Sequence, residues 1–196
     1  MKRDSISNIV FSAPERNESV LSPAAQSTKL LHVSPTLAKE HDKVVGLLNN
    51  DPDIPGYLKA GLYLMYASGL RVSELLNIRS EDLRPYQYIR IRGLKNSKDR
   101  YVYPPTEAGL WFRDRLYMPN LLSQISRFYM YRLFKRHGLY FKNEGKGHDS
   151  VTHYFRVLYI RTLEAYGADN NEIMQAIGHK NVNSQQYYKN EAKKGV

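Results

Sequence analysis

No cysteine occurs among the 196 residues. That excludes disulfide bridges, zinc sites built on thiolates and a cysteine nucleophile. No apolar run approaches the roughly 18 residues that a membrane span requires. The opening Met1-Lys2-Arg3-Asp4 leads into polar residues and not into the apolar stretch of a signal peptide. A soluble, cytoplasmic protein is therefore expected. Acidic side chains are outnumbered, 19 Asp and Glu against 29 Lys and Arg, and the formal net charge is +10. A surplus of that size favours a polyanionic partner, nucleic acid ahead of an anionic membrane surface. No grouping of His, Asp and Glu has metal-ligand spacing, and His148 stands outside any pattern, so no metal and no other cofactor is expected.

The length suits one domain with a short appendage. Residues 1–33, rich in Ser, Asn, Pro and Glu without periodicity, read as a flexible N-terminal arm. The domain proper is expected over 34–196. Ser34-Pro35 is an N-cap followed by proline at the first helical position, and Leu37, Val44 and Leu48 share one face of the helix it opens. Asn49-Asn50-Asp51-Pro52 ends that helix. Residues 56–68 are apolar nearly all round, which predicts a buried central helix stopped by Gly69. A further helix is expected from about Arg71 to Asn77. Tyr88 to Arg92 alternates with period two and predicts a strand, with Arg100 to Tyr103 as its return partner and a basic turn between them. Helices are expected near 106–116, 120–137, 151–166, 170–177 and 183–192, with Asp169 and Glu172 forming a capping box ahead of the fourth. The expected fold is mainly α (α+β): a helical bundle with a small antiparallel β-sheet or hairpin.

Six polar residues, spread along the chain, have the chemistry to surround one phosphate: Arg71, Lys95, His153, Arg156, His179 and Tyr188. Cutting a phosphodiester with a tyrosine needs an in-line phenolate, charge stabilisation on the non-bridging oxygens and a proton for the departing 5′ oxygen. Arginine's planar fork suits the second task, because it matches two phosphate oxygens and keeps its charge. Histidine and lysine can donate hydrogen bonds or protons. His153 and Arg156, three residues apart on a helix, share a face.

Local context sharpens this pattern. Tyr66-Ala67-Ser68-Gly69-Leu70-Arg71-Val72-Ser73-Glu74-Leu75-Leu76 resembles the first box of the tyrosine recombinase, or phage integrase, family. His153-Tyr154-Phe155-Arg156 resembles the second box, and Ile177-Gly178-His179-Lys180-Asn181 the third. Arg156 precedes His179 by 23 residues and Tyr188 follows it by nine, both in the family's register. The resemblance covers roughly residues 34–192. It implies that Arg71 and Arg156 are the catalytic arginines, with Glu74 a supporting carboxylate. His179 would donate a hydrogen bond to the phosphate, and Tyr188 would be the nucleophile in preference to the adjacent Tyr187. In Leu94-Lys95-Asn96-Ser97-Lys98-Asp99-Arg100, Lys95 fits the general acid. Lys98 and Arg100 would contact the DNA backbone, as would Arg127, Arg132, Lys135 and Arg136, which are expected on a helix opposite Leu122, Ile125, Tyr129 and Leu133.

The activity implied is site-specific recombination of double-stranded DNA through a 3′-phosphotyrosyl intermediate, by a homotetramer on DNA whose free form can be a monomer, with accessory DNA-binding proteins as further candidate partners. A type IB topoisomerase-like nicking-closing enzyme and a non-catalytic DNA-binding accessory protein are the competing readings. Typical family members carry an additional helical DNA-binding domain before the catalytic one. Here residues 1–33 precede the expected fold and eight residues follow Tyr188, so assembly by exchange of a long tail is not expected.

Overall fold

The structure, a computed structural model, describes residues 34–84, 88–94, 97–102, 118–142 and 151–179. The arm (1–33), the expected helices at 106–116 and 183–192, and Lys95, His148, Tyr187 and Tyr188 lie outside the described residues. Helix α1 spans Pro35–Asn50. The Ser34 hydroxyl accepts from the Leu37 N–H at 3.2 Å, meeting one of the unpaired donors of the first turn. Its buried residues Leu37, His41, Val44 and Leu47 recur at helical spacing.

Helix α2, Gly56–Ser68, is the centre of the molecule. Leu58, Leu62, Leu64 and Met65 are all buried, and they point to different sides because α1, α4 (Met118–Ser123) and α6 (Tyr154–Ala165) enclose the helix. This matches the all-round apolar character of its sequence. The helix stops at Gly69, which adopts a left-handed conformation (φ 62°) and donates its N–H to Met65 O at 2.8 Å. Glycine is required twice over here, because a Cβ would also stand 2.6 Å from the Tyr159 ring. A polar seam stitches the core: His41 Nδ1 lies 2.6 Å from the Tyr66 hydroxyl and His41 Nε2 lies 3.0 Å from Thr162 Oγ1. Thr162 Oγ1 donates to Leu158 O, so it accepts from Nε2–H, and Nδ1 then accepts from Tyr66. The seam joins α1, α2 and α6 with each of these polar groups satisfied.

Beyond Gly69 the chain turns into the single-turn helix α3, Val72–Leu75, shorter than expected. Three antiparallel strands follow in the order β1 (Leu83–Arg84), β2 (Tyr88–Ile91), β3 (Arg100–Val102). The expected hairpin is β2–β3, with Ile89 opposite Val102 and Ile91 opposite Arg100. The third strand, β1, is an addition. Ile89, Ile91, Arg100 and Val102 face inward, while Arg90 and Tyr101 face solvent.

The expected helix at 120–137 is two helices, α4 and α5 (Arg127–Arg136). Ser126 starts the second by capping it, its Oγ accepting from Tyr129 N–H at 3.0 Å. The break also rotates the inward face. Met130, Leu133 and Phe134 are buried, whereas Tyr129, expected inward, is 45% exposed. Helix α6 begins at Tyr154, so His153 is its N-cap and not an interior residue. Helix α7, Asn170–Ile177, carries the expected capping box: Asp169 accepts from the Asn171 and Glu172 N–H groups, and Glu172 accepts from the Asp169 N–H. Among the described residues no helix is long and apolar enough to cross a membrane.

Replacing Gly69 by alanine adds backbone strain and a steric clash with Tyr159. Gly69→Ala is expected to cost about 1–3 kcal/mol of stability, read as a lower urea midpoint. An unchanged midpoint would contradict the packing described.

Candidate active site

The site is built around one carboxylate. Glu74 sits on α3 with its side chain fully enclosed. One oxygen, Oε1, accepts from Arg71 Nη1 at 2.9 Å and from Arg100 Nη1 at 3.3 Å. The other, Oε2, accepts from the Arg71 backbone N–H at 2.9 Å and from Arg100 Nη2 at 3.0 Å, with Arg156 Nη1 3.6 Å away. Burial by itself would raise the carboxyl, but Arg100's charge and hydrogen bond, Arg156's charge and the Arg71 N–H outweigh it and hold it down at about 2. Three guanidinium charges against one carboxylate leave the cluster positive, as a phosphate requires.

Arg156 is completely buried. Its Nη1 donates to Gly69 O at 3.0 Å and its Nη2 to Ile177 O at 2.5 Å. Those carbonyls belong to the C-terminal ends of α2 and α7. Helix C-termini carry partial negative charge and unpaired carbonyls, so two of them converge on the buried cation. Arg71 is placed differently. As the N-cap of α3 it leaves about a fifth of its side chain exposed, so it is the guanidinium that meets the outside.

His179 lies in the turn after α7, where Gly178 adopts φ 69°. Its Nε2 is 2.9 Å from Arg71 Nη2. Arginine only donates, so Nε2 accepts and the ring is neutral. Burial, then the charges of Arg156 and Arg71, lower His179 to about 3. This differs from the donor role that the resemblance implies. Nε2 can donate to a phosphate only after Arg71 turns away and the ring proton moves to Nε2. His153 is lowered to about 4, by burial first and then by Arg71, Arg156 and Arg127.

The β2–β3 turn is docked against this cluster. Ser97 forms a β-bridge with His179, and its Oγ accepts from Arg71 Nη1 at 3.0 Å. The Lys98 N–H donates to Gly178 O at 3.1 Å. The turn closes tightly, since a Cβ on Gly93 would lie 2.2 Å from Ser97 O.

The structure thus brings Arg71, Glu74, Arg156 and His179 together, with His153 within electrostatic reach of both arginines. Lys95 and Tyr188 lie outside the described residues. The side chain of Lys98 is exposed. Arg100 is not at the surface as a backbone contact would be: it is 7% exposed and bonded to Glu74. Its position facing inward beside Val102 was legible as a charged residue in the buried register of a strand. Ser97 had no such signal. Of the four α5 cations, Arg127 is exposed and near enough to act on His153. Arg132 stands over the Phe128 ring, Lys135 stands 4.2 Å from the Tyr140 ring centre, and Arg136 pairs with Asp53 at 2.7 Å. Among the described residues no group of three His, Asp or Glu is placed to hold a metal ion.

Comparison with known proteins gives one consistent result. The pattern of the phage integrase family matches residues 39–194. A tyrosine recombinase XerC of Rickettsia massiliae is 30% identical over 194 residues, covering 93% of this chain and 60% of the relative. XerC of Rickettsia canadensis is 28% identical, with the same coverage. The chain therefore spans about 60% of the length of these relatives. Among solved structures, XerA recombinase superposes with a TM-score of 0.57 at 20% identity, over 83% of this chain and 62% of that one. XerH site-specific recombinase bound to its difH substrate gives 0.56 at 17% identity, over 84% and 52%. At these identities the two structures establish likeness of fold.

Three depressed histidines, His41, His153 and His179, make stability depend on pH. Below about pH 6.5 the unfolded chain protonates all three imidazoles, while the folded chain resists, His153 until about 4 and His179 until about 3. Stability is therefore expected to fall as pH drops from 6.5 towards 4. Urea unfolding at pH 7 and pH 5 measures this, and His153→Gln with His179→Gln should lessen the dependence, leaving the share of buried His41. An equal fall in the double variant would assign it to other groups.

Proposed function

The chain belongs to the phage integrase family, and from that premise we propose that it is a site-specific DNA recombinase working through a tyrosine–phosphate intermediate. The observation that carries this reading is the convergence of Arg71, Arg156 and His179, from three distant parts of the sequence, around the ion-paired Glu74. Such a cluster is suited to the charge that develops on a phosphodiester's non-bridging oxygens during in-line attack. Arg71, exposed at one edge, is the first contact. Arg156 and the turn carrying His179 form the wall behind it.

Tyr188 supplies the nucleophile. Its phenolic oxygen, having lost its proton, forms a bond to phosphorus as the bond from phosphorus to the 5′ oxygen breaks. Lys95 gives that oxygen a proton. The protein then holds a 3′-phosphotyrosine and the DNA carries a free 5′ hydroxyl. A hydroxyl from a partner strand reverses the step and releases Tyr188. The phosphotyrosine conserves the energy of the broken bond, so rejoining needs no nucleotide. Strand exchange between two duplexes requires two pairs of active sites, hence a tetramer on DNA, with accessory DNA-binding proteins as further partners. The surplus of basic residues, including exposed Lys98, Arg127 and Arg132, supports binding to the phosphate backbone. The action takes place where the target DNA is, in the cytoplasm.

Nicked suicide duplexes from a genomic sequence pool test this reading. The wild-type chain is expected to form a covalent adduct that survives a denaturing gel. Tyr188→Phe should abolish it with DNA affinity within about threefold, since the hydroxyl contributes to chemistry and not to backbone contacts. Tyr187→Phe should keep it. Arg71→Ala should slow adduct formation by at least about a hundredfold. Adduct loss in Tyr187→Phe alone would move the nucleophile by one residue. Binding without any adduct would favour a non-catalytic DNA-binding protein, and relaxation of supercoils without strand exchange a topoisomerase-like enzyme.

A further inference from the structure

We infer that Arg100 is a positioning residue for strand cleavage: it occupies the Glu74 carboxylate so that Arg71 and Arg156 keep their charge for the phosphate. The inference rests on the recombinase reading above.

Arg100 is the most enclosed partner that Glu74 has on the sheet. It faces inward from β3, is 7% exposed, and reaches both carboxylate oxygens, at 3.3 and 3.0 Å. The turn after α7 lies directly against it. A Cβ on Gly178 would be 3.2 Å from Arg100 Nη1 and 3.3 Å from Arg100 Cδ, and Gly178 also has a left-handed φ of 69°. So the guanidinium is shut between α3 and the segment that carries His179. In that position it cannot touch a DNA phosphate, but it can decide how Glu74 shares itself.

That sharing matters because Glu74 faces all three arginines of the described site. Arg71 approaches from the start of α3, Arg156 from α6 and Arg100 from β3, while His153 before α6 and His179 after α7 feel its charge. A carboxylate deprived of Arg100 has two ways to recover. It can draw Arg71 and Arg156 closer, which lowers the positive field they present to a phosphate. Or it can take up a proton. Burial favours the protonated acid, and Arg100 is the largest influence opposing that. A protonated Glu74 would release its grip on the Arg71 side chain and on the Arg71 N–H. Either way the transition state suffers, while DNA binding, spread over many backbone contacts, does not.

Lysine cannot fully replace Arg100, because one ammonium on a flexible stem does not span two carboxylate oxygens. The test uses Arg100→Gln and Arg100→Lys in the full chain, on a nicked suicide duplex with which the wild type reacts. Single-turnover adduct formation at saturating protein is followed from about pH 5 to pH 9, with DNA affinity and thermal unfolding measured alongside. Arg100→Gln is expected to lower the saturated rate by about tenfold to a hundredfold, with DNA affinity within about threefold and a new acid limb in the pH profile. Arg100→Lys should restore part of the rate, remaining about threefold slow. A wild-type rate and pH profile in Arg100→Gln overturns the inference, as does a lower melting temperature with an unchanged saturated rate. A loss confined to affinity makes Arg100 a DNA contact and overturns it too. If Arg100→Gln does not fold, Arg100→Lys decides: a wild-type rate there overturns the inference. A wild-type chain that forms no adduct removes the recombinase reading and this inference together.

Discussion

The buried carboxylate of Glu74 is the constraint on which the rest of the site is arranged. Guanidinium groups repel one another, and taking them out of water costs several kcal/mol each by the usual reckoning. Arg71, Arg100 and Arg156 arrive from three separate elements and are nonetheless held within a few ångströms of one another, because one anion lies between them. The carboxylate also accepts the Arg71 backbone N–H, so it fixes the start of α3 as well as the side chains around it. The neutral histidines follow from the same arrangement. Next to so many fixed positive charges, and largely out of solvent, an imidazolium would be unfavourable.

Around that centre the chain is fastened by backbone contacts that are indifferent to side-chain identity. The Ser97–His179 bridge and the Lys98 N–H to Gly178 O bond lock the β2–β3 turn to the end of α7. Ser97 adds a side-chain link, to Arg71. The two glycines at the ends of α2 and α7, both left-handed, bring their chains close to Tyr159 and to Arg100 respectively. Each helix thus ends with one of its last carbonyls beside Arg156 and delivers a member of the charged cluster, Arg71 or His179, within two residues of the glycine.

Much of this is legible in the amino-acid sequence. The apolar run in 56–68, the Ser34-Pro35 start, the Asp169–Glu172 box and the alternation in 88–92 all state a local rule that the fold obeys. The boxes around Arg71, Arg156 and His179 were readable because local glycines, helix ends and spacing accompany them. What could not be read depends on partners remote in sequence. Nothing near Ser97 says that its hydroxyl will meet Arg71. Tyr129 departs from the expected inward face because a Ser126 cap restarts the helix and turns its apolar side. Arg100 is the exception, since its strand register beside Val102 marks it as inward-facing although its charge suggests the surface. The orientation of Arg156, towards two carbonyls, needs the ends of α2 and α7 to meet, and that is a tertiary fact.

The place of Arg156 bears on how relatives of this chain should be judged. Its side chain stoppers the ends of two helices, so the fold would feel its loss even where no DNA is ever cut. A family member without strand exchange would still be under pressure to keep this arginine merely to stay folded. The hydroxyl of Tyr188 enjoys no such protection if its value is chemical alone. In a survey of sequences, then, an intact second-box arginine is weak testimony to a living enzyme. The late tyrosine is the better witness.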